Sequence, residues 1–377
     1  MTKRILIVSR TMPVFEGMGG AAHMYDMVEC LKEKGFEIGY LYLGTGEQIS
    51  DKLQKIARIY GVSTPASFPA NGWPTFYDAE ASQNEKALFS HVYPLCQPDI
   101  VIADYQWLNG IFDLIPADHK TERVTFVHEV RMRMIQSFDS IGMQSAYSDW
   151  NETKETALLK KANTLLVLQN EDEEGCRKMV PDANIIRIGI SDRIIACDPA
   201  KEIPGCCMYI ASNVAENYHA GKWLLDKVWP LVLQNVPGAS LIICGSICNR
   251  LSAYKDISGV ILAGWVENLH DISASAQVAV IPHFMHGGTK LKFIRALSYG
   301  RPVVANSCGI DGFPEAKGTC ALIADDPEQF AAHMVEIIKN DEKRHAMQEA
   351  AMALAQERLS PQAAYGKLFT YLEKPTW

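Results

Sequence analysis

No stretch of this chain approaches the roughly 20 consecutive apolar residues that a membrane-spanning helix requires. The apolar run near the N-terminus, Ile5 to Val8 behind Lys3 and Arg4, is too short for a secretory signal. Any membrane contact is therefore expected to be peripheral, and the protein cytoplasmic, at most touching the inner face of the membrane. The ten cysteines, which include the adjacent Cys206 and Cys207, form neither a CxxC pair nor a Cys/His zinc pattern. They read as reduced thiols in a reducing compartment. Positive charge is scarce: the formal net charge of −8 argues against nucleic acid as a partner, because a phosphate backbone needs a basic face. No Asp-x-Asp pair stands where it could hold a divalent ion, and no tandem repeat of short period is present.

What is present is length and a strand–helix rhythm. At 377 residues the chain suits two domains, and 48% hydrophobic with 21% charged residues is the balance of a globular protein. Residues 4–9 make a buried-strand run. Gly17, Gly19 and Gly20 follow, then a helix with Met24, Met27, Val28 and Leu31 at helical spacing, stopped by Gly35 before a strand at 38–43. Doubly wound nucleotide-binding sheets open in this way. Gly17-x-Gly19-x-x-Ala22 has the form of a dinucleotide fingerprint. The glycines lie well beyond the strand end, however, and no Asp or Glu closes the second strand, which argues against a nicotinamide cofactor. Residues 48–84 are irregular, with Pro65, Pro69, Pro74, Phe68, Trp73, Phe76 and Tyr77, and read as an insertion lining a cleft or as a surface excursion. Strands at 99–104, 123–127, 164–168 and 185–188 bring the first half to about six. The strand at 123–127 ends in His128-Glu129-Val130-Arg131, polar groups placed where α/β sheets bind ligands; the alternative is a histidine that caps a loop.

Between Gly189 and Gly205 the rhythm lapses, with Ser191, Asp192, Asp198, Pro199 and Pro204 reading as a linker. A second series begins at 207–211, followed by a loop with Asn213 and Asn217. The helix expected at 222–234 should be kinked or divided by Pro230. Strands at 240–245, 260–266 and 278–282 lead into the turn His283–Lys292, then a helix to Gly300 and a strand at 302–305. Gly287 and Gly288 allow a ligand close to the backbone, Lys290 and Lys292 add charge, and a helix N-terminus suits an anion. The alternative is a glycine-rich connection with solvated lysines. A helix at 328–339 carries Phe330, Met334, Ile337 and Ile338, with Asp325 and Asp326 before it reading as a cap rather than as metal ligands. A last helix covers 363–373.

These residues resemble a known family. Gly245, Gly264-Trp265-Val266, Gly287-Gly288-Thr289-Lys290-Leu291-Lys292 and Gly300-Arg301-Pro302-Val303-Val304, in that order, look like a family-four retaining glycosyltransferase of the GT-B fold, in its group 1, Gly-Gly-Thr-Lys-Leu-Lys branch. Val228-Trp229-Pro230 and Gly309-Ile310-Asp311-Gly312 also sit where that branch has similar motifs. The match is specific in the C-terminal half; in the N-terminal half it rests on the rhythm, Gly19-Gly20 and His128-Glu129-Val130-Arg131. The resemblance implies two Rossmann-like α/β domains facing each other across a cleft. It divides the chain into an acceptor-binding domain at 1–190, a hinge at 191–204, a nucleotide-sugar-binding domain at 205–358 and a C-terminal helix at 359–377 that crosses back to the first domain. It also implies transfer of a sugar from a nucleoside diphosphate sugar to a glycan, lipid-linked or protein acceptor, without metal or other cofactor. Gly287, Gly288, Thr289, Lys290 and Lys292 would bind the donor phosphates, with Asn217, Gly264 and Arg295 at or near the nucleotide. Gly19 and Gly20 would approach the phosphates or the acceptor, and His128 would be the catalytic residue beside the transferred sugar.

One departure stands out. The family usually has two glutamates, eight positions apart, across this turn and helix, the second holding the nucleotide ribose; here those positions are Gly287 and Arg295. A guanidinium only donates hydrogen bonds and cannot accept two ribose hydroxyls. Arg295 is left to pair with a carboxylate, contact a phosphate or point elsewhere. It also leaves open a catalytically weak relative acting as a binding or scaffold subunit. A sugar-nucleotide epimerase is a further alternative.

Overall fold

The computed structural model describes residues 2–14, 20–44, 49–61, 79–140, 142, 150–195, 198–266, 268–286 and 288–374. The chain forms two compact units, Met1–Ser191 together with Pro361–Trp377, and Asp192–Ser360.

The first unit is built on a seven-stranded parallel sheet. Its strands are β1 (Arg4–Ser9), β2 (Glu37–Tyr42), β3 (Arg58–Tyr60), β4 (Ile100–Asp104), β5 (Glu122–Val127), β6 (Thr164–Val167) and β7 (Asn184–Arg187). The spatial order is β3-β2-β1-β4-β5-β6-β7, so the winding reverses beside β1. Both faces of this sheet are covered, which is why its strands read as continuous apolar runs. Ile5 and Ile7 face one core with Met24, Met27, Val28 and Leu31 of the helix Gly20–Glu33. Leu6 and Val8 face another with Leu88, Phe89 and Val92 of the helix Gln83–Cys96. The last helix, Pro361–Leu372, contributes Tyr365, Leu368, Phe369 and Leu372 to the first of these cores.

The sequence reading needs correction here. The unit has seven strands rather than about six, because β3 and the helix Asp51–Ile56 fall within the stretch read as irregular. Ser50 caps that helix by accepting from the Leu53 amide at 3.2 Å. A three-residue strand that starts with arginine carries too little apolar periodicity to be seen. Pro65, Phe68, Pro69, Trp73, Pro74, Phe76 and Tyr77, read as cleft lining or surface excursion, lie outside the described residues.

The second unit has six parallel strands: β8 (Cys206–Ile210), β9 (Ser240–Cys244), β10 (Val260–Gly264), β11 (Val278–Ile281), β12 (Val303–Ala305) and β13 (Ala321–Ile323). Their order is β10-β9-β8-β11-β12-β13, with the reversal beside β8. The short β13 was not recognised in the sequence. Around Pro230 the helix divides as expected: Ala215–Trp223 passes through a π-helical stretch, Leu224–Val228, into Trp229–Asn235. The proline sits in the first turn of the last piece, where its missing N–H costs least. The segment after Ser191 is bonded to this unit at several points. The Asp192, Ile195 and Ile203 amides donate to Leu359, Ser298 and Ser275 carbonyls at 3.0, 2.8 and 2.9 Å. Glu202 is buried between Arg301 at 2.7 Å and Arg344 at 3.1 Å.

Asp326 caps the helix Pro327–Lys339, accepting from the Gln329 amide at 2.8 Å, while Asp325 accepts from the Ser307 amide at 2.9 Å. Both aspartates are thus engaged with backbone, as the cap reading requires. Asp326→Ala is expected to cost about 1 kcal/mol of stability, read as a lower urea midpoint with unchanged slope. Among the described residues no helix is long and apolar enough to cross a membrane. All nine cysteines among them are free.

Candidate functional site

In the second unit, β11 ends in an apolar, buried run and the chain turns at residues 282–290 into the helix Leu291–Ser298. No side chain caps that helix, so its first amides keep their donor capacity. Gly288 turns the backbone at φ +61°, a region that a side chain disfavours. Thr289 is half-buried beside it. Lys290, by contrast, is not a solvated lysine. It is buried, its Nζ donates to the Met285 carbonyl at 3.1 Å, and the Asp311 carboxylate lies 3.8 Å away. Lys292 donates to Asn217 Oδ1 at 2.8 Å and lies over the Tyr209 ring at 5.6 Å. Burial, reinforced by the charge of Lys290, lowers the Lys292 pKa to about 7, against the opposing pull of Glu216. Asn217 is fixed for this contact by its own Nδ2, which donates to the Ser212 carbonyl at 3.1 Å. Two ammonium groups held close together in a partly dry turn, one of them hard to charge, form an arrangement that an anion would relieve.

The sequence reading missed the groups around these lysines. His283 follows β11, is buried, and anchors its amide on Asn306 Oδ1 at 3.0 Å. Burial and the cations Lys290 and Lys292 hold its pKa well below the usual histidine value, and its Nδ1 has no hydrogen-bond partner. His286 reaches Asp311 at 3.1 Å through Nδ1 and the Cys308 thiol at 3.4 Å through Nε2. His283 and Asn306 each follow a strand's C-terminal end, a signal available from sequence once the strands are placed. Gly264 bends β10 at φ +68°, and its amide donates to the Cys248 thiol at 3.3 Å. Trp265 after it is 69% exposed.

Arg295 lies on the same helix and does not stand free for a nucleotide. Its Nη1 donates to Asp192 Oδ1 at 2.6 Å, and the Asp192 side chain is 5% exposed. Of the options open to this residue, pairing with a carboxylate is the one the structure displays.

In the first unit, Ser9, Asp104 and His128 converge from the C-terminal ends of β1, β4 and β5. His128 Nε2 lies 2.6 Å from Asp104 Oδ1, and Ser9 Oγ donates to Asp104 Oδ2 at 2.5 Å. The His128 ring stacks on Tyr105 at 4.1 Å and on Phe126 at 3.9 Å, with His23 edge-on at 6.1 Å. Burial, and secondarily His128, lower the His23 pKa to about 3. His128 is thus more than a loop cap, while Glu129 pairs with Arg131 at 3.1 Å. The helix that follows, Arg131–Ser140, is capped from within: buried Glu155 accepts from the Arg131 and Met132 amides at 2.7 and 3.0 Å. Gly20 opens the helix Gly20–Glu33 and is exposed, whereas Gly17, Gly19 and Gly287 lie outside the described residues. Among the described residues no three His, Cys, Asp or Glu side chains group as metal ligands.

Comparison with known proteins agrees with the fold and with the second unit. Residues 206–340 match the family model described as Glycosyl transferases group 1. An uncharacterized 44.6 kDa protein in the cps region of Klebsiella pneumoniae is 28% identical over 156 residues, which span 39% of this chain and 40% of that relative. Among solved structures, a mutant of S. aureus TarM in complex with Fondaparinux, alpha-GlcNAc-glycerol and UDP superposes with a TM-score of 0.75 at 12% identity, covering 99% of this chain and all of that one. Anabaena Alr3699/HepE in complex with UDP and glucose gives 0.73 at 13% identity, covering 99% and 100%. The chain therefore has the GT-B fold of two Rossmann-like α/β domains, and its residues 206–340 match the group 1 glycosyl transferases.

Proposed function

We propose that this protein is a glycosyltransferase that moves a sugar from a nucleoside diphosphate sugar to a glycan, lipid-linked or protein acceptor in bacterial polysaccharide or glycoconjugate synthesis. The observation that carries this reading is the pair Lys290 and Lys292 at an uncapped helix start, within the region matched by the group 1 model. The leaving group of such a transfer is a nucleoside diphosphate, and the charge it develops must be stabilised. The buried Lys290, the half-buried Lys292 and the first helix amides supply that stabilisation from the chain itself, so the reaction is proposed to need no metal. Retention at the anomeric carbon, the role of His128 beside the transferred sugar and the hinge at 191–204 follow from the family resemblance and belong to the same proposal. The UDP in the TarM and HepE structures supports a nucleotide donor, and the cps-region relative a polysaccharide product; the same proposal places the reaction in the cytoplasm, with at most peripheral contact with the membrane's inner face.

Isothermal titration with UDP, GDP, ADP and dTDP tests the reading: at least one is expected to bind, with affinity unchanged by EDTA. Binding by none of them would remove the donor site. The second reading, a scaffold subunit without turnover, is favoured by Arg295 being committed to Asp192 rather than left for a ribose. Release of free nucleotide from donor sugars in the presence of a lysate glycan fraction separates the two, since a scaffold releases none.

A further inference from the structure

We propose that Asp104 is a positioning residue for His128, fixing the imidazole so that Nδ1 is presented as a hydrogen-bond acceptor to a hydroxyl of the bound carbohydrate. The role given to the carbohydrate rests on the glycosyltransferase reading; the arrangement of the side chains does not.

A carboxylate only accepts hydrogen bonds, so the 2.6 Å contact with Asp104 Oδ1 places the imidazole proton on His128 Nε2. In the neutral ring Nδ1 then carries the lone pair. The carboxylate is itself fixed. It is 1% exposed, and its other oxygen takes the Ser9 hydroxyl proton at 2.5 Å. Ser9 Oγ in turn accepts from the Thr11 amide at 2.8 Å, which leaves its proton for Asp104.

The ring is also held by its faces. Tyr105 and Phe126 both stack on it, with interplanar angles of 25° and 29°. Two rings about 4 Å from one imidazole cannot share a face, so both faces are covered and only an edge is left for a ligand. Tyr105 reaches this position through a backbone φ of +80°, a conformation that costs energy for a residue with a side chain. Its other stacking partner is Trp107 at 4.0 Å, so Tyr105 acts as a wedge between Trp107 and His128 rather than as an open platform for a sugar. His23, neutral and buried, stands edge-on and brings no competing charge. A strained residue, a buried carboxylate and a hydroxyl thus hold one imidazole, an outlay with no return in packing that an alanine and a leucine would not give. The general logic is that of an imidazole oriented by a carboxylate on its far nitrogen.

The test uses the full chain. Long-range ¹H–¹⁵N spectra of the histidine rings at pH 8 are expected to show His128 as the Nε2–H tautomer in the parent and as a tautomer mixture in Asp104→Asn. Steady-state turnover of UDP-glucose, UDP-GlcNAc and GDP-mannose with a lysate glycan fraction is expected to show kcat about tenfold lower in Asp104→Asn, with the donor KM within twofold. Ser9→Ala, which removes one hydrogen bond from the same carboxylate, should shift both readouts in the same direction by less. An Nδ1–H tautomer in the parent, or unchanged kcat in Asp104→Asn, overturns the proposal. Absence of turnover by the parent, with the Nε2–H tautomer observed, counts against the glycosyltransferase reading and not against the role of Asp104.

Discussion

Replacing Lys290 and Lys292 together with methionine is expected to weaken nucleoside diphosphate binding by at least about 100-fold, since each charged hydrogen bond to a phosphate is worth roughly 1.5–3 kcal/mol. Methionine keeps the apolar stem that packs in the turn, so thermal stability serves as the control. The single variants are expected to differ in a telling way. Lys290 is already bonded to the Met285 carbonyl and lies near Asp311. Lys292 donates to the neutral Asn217 oxygen and lies over the Tyr209 ring face, with Glu216 acting on it only electrostatically. With a pKa lowered to about 7 by burial first and by Lys290 second, Lys292 holds its proton less firmly than an ordinary lysine near neutral pH. A bound diphosphate favours the charged form, so binding above pH 7 must draw in a proton. Titrations in buffers of different ionisation enthalpy should therefore show proton uptake at pH 8, and affinity should fall as pH rises from 7 to 9. Lys292→Met should abolish the uptake, and Lys290→Met, which removes one of the two causes of the lowered pKa, should reduce it. Uptake that persists in Lys292→Met would move the proton to another group, with His283 the first candidate.

The sheet rhythm of both units was legible because parallel strands buried on both faces must be apolar at every position. The run Ile5–Val8 shows it, with alternate residues serving two different cores. The strands that escaped notice, Arg58–Tyr60 and Ala321–Ile323, are three residues long and lie at sheet edges, where burial no longer dictates composition. The site was legible only in part, for a different reason. Lys290 and Lys292 could be named from a glycine turn and two nearby charges. That Lys290 is buried and Lys292 held by Asn217, 75 positions away, is a tertiary fact with no local trace. Likewise His128 stood out at a strand end, but its partner Asp104 reads in sequence as the polar end of another strand. Only the pairing of β4 with β5, which sets Asp104 opposite Phe126, brings the two side chains together. Tyr105 at φ +80° had no signal at all, since the positive φ that marks glycine turns gives no warning at a tyrosine.

Arg295→Ala is expected to destabilise the second unit by about 3 kcal/mol, the cost of leaving a buried carboxylate without its cation. For a unit of this size that corresponds to a Tm lower by roughly 6–12 °C. The pH dependence gives the cause. Burial raises the Asp192 pKa above its ordinary value and Arg295 opposes the rise. A carboxyl with a raised folded pKa weakens the fold as pH climbs from the unfolded value through the folded one, and the penalty is relieved in acid. Without Arg295 the folded pKa rises further, so the stability gap between parent and variant should be widest at pH 8 and narrow toward pH 5. A gap that stays constant across this range would mean that Arg295 stabilises through packing, not through Asp192. The pair also decides how the missing ribose contact can be tested. Arg295→Glu alone would set two carboxylates side by side, because Asp192 lies 2.6 Å from the guanidinium nitrogen. Combined with Asp192→Asn, the new carboxylate is spared that repulsion and is free to accept ribose hydroxyls. The double variant is then expected to prefer UDP over dUDP more strongly than the parent does. Equal preference in both proteins would mean that this helix position does not face the ribose, and that the arginine's place beside Asp192 is its whole role.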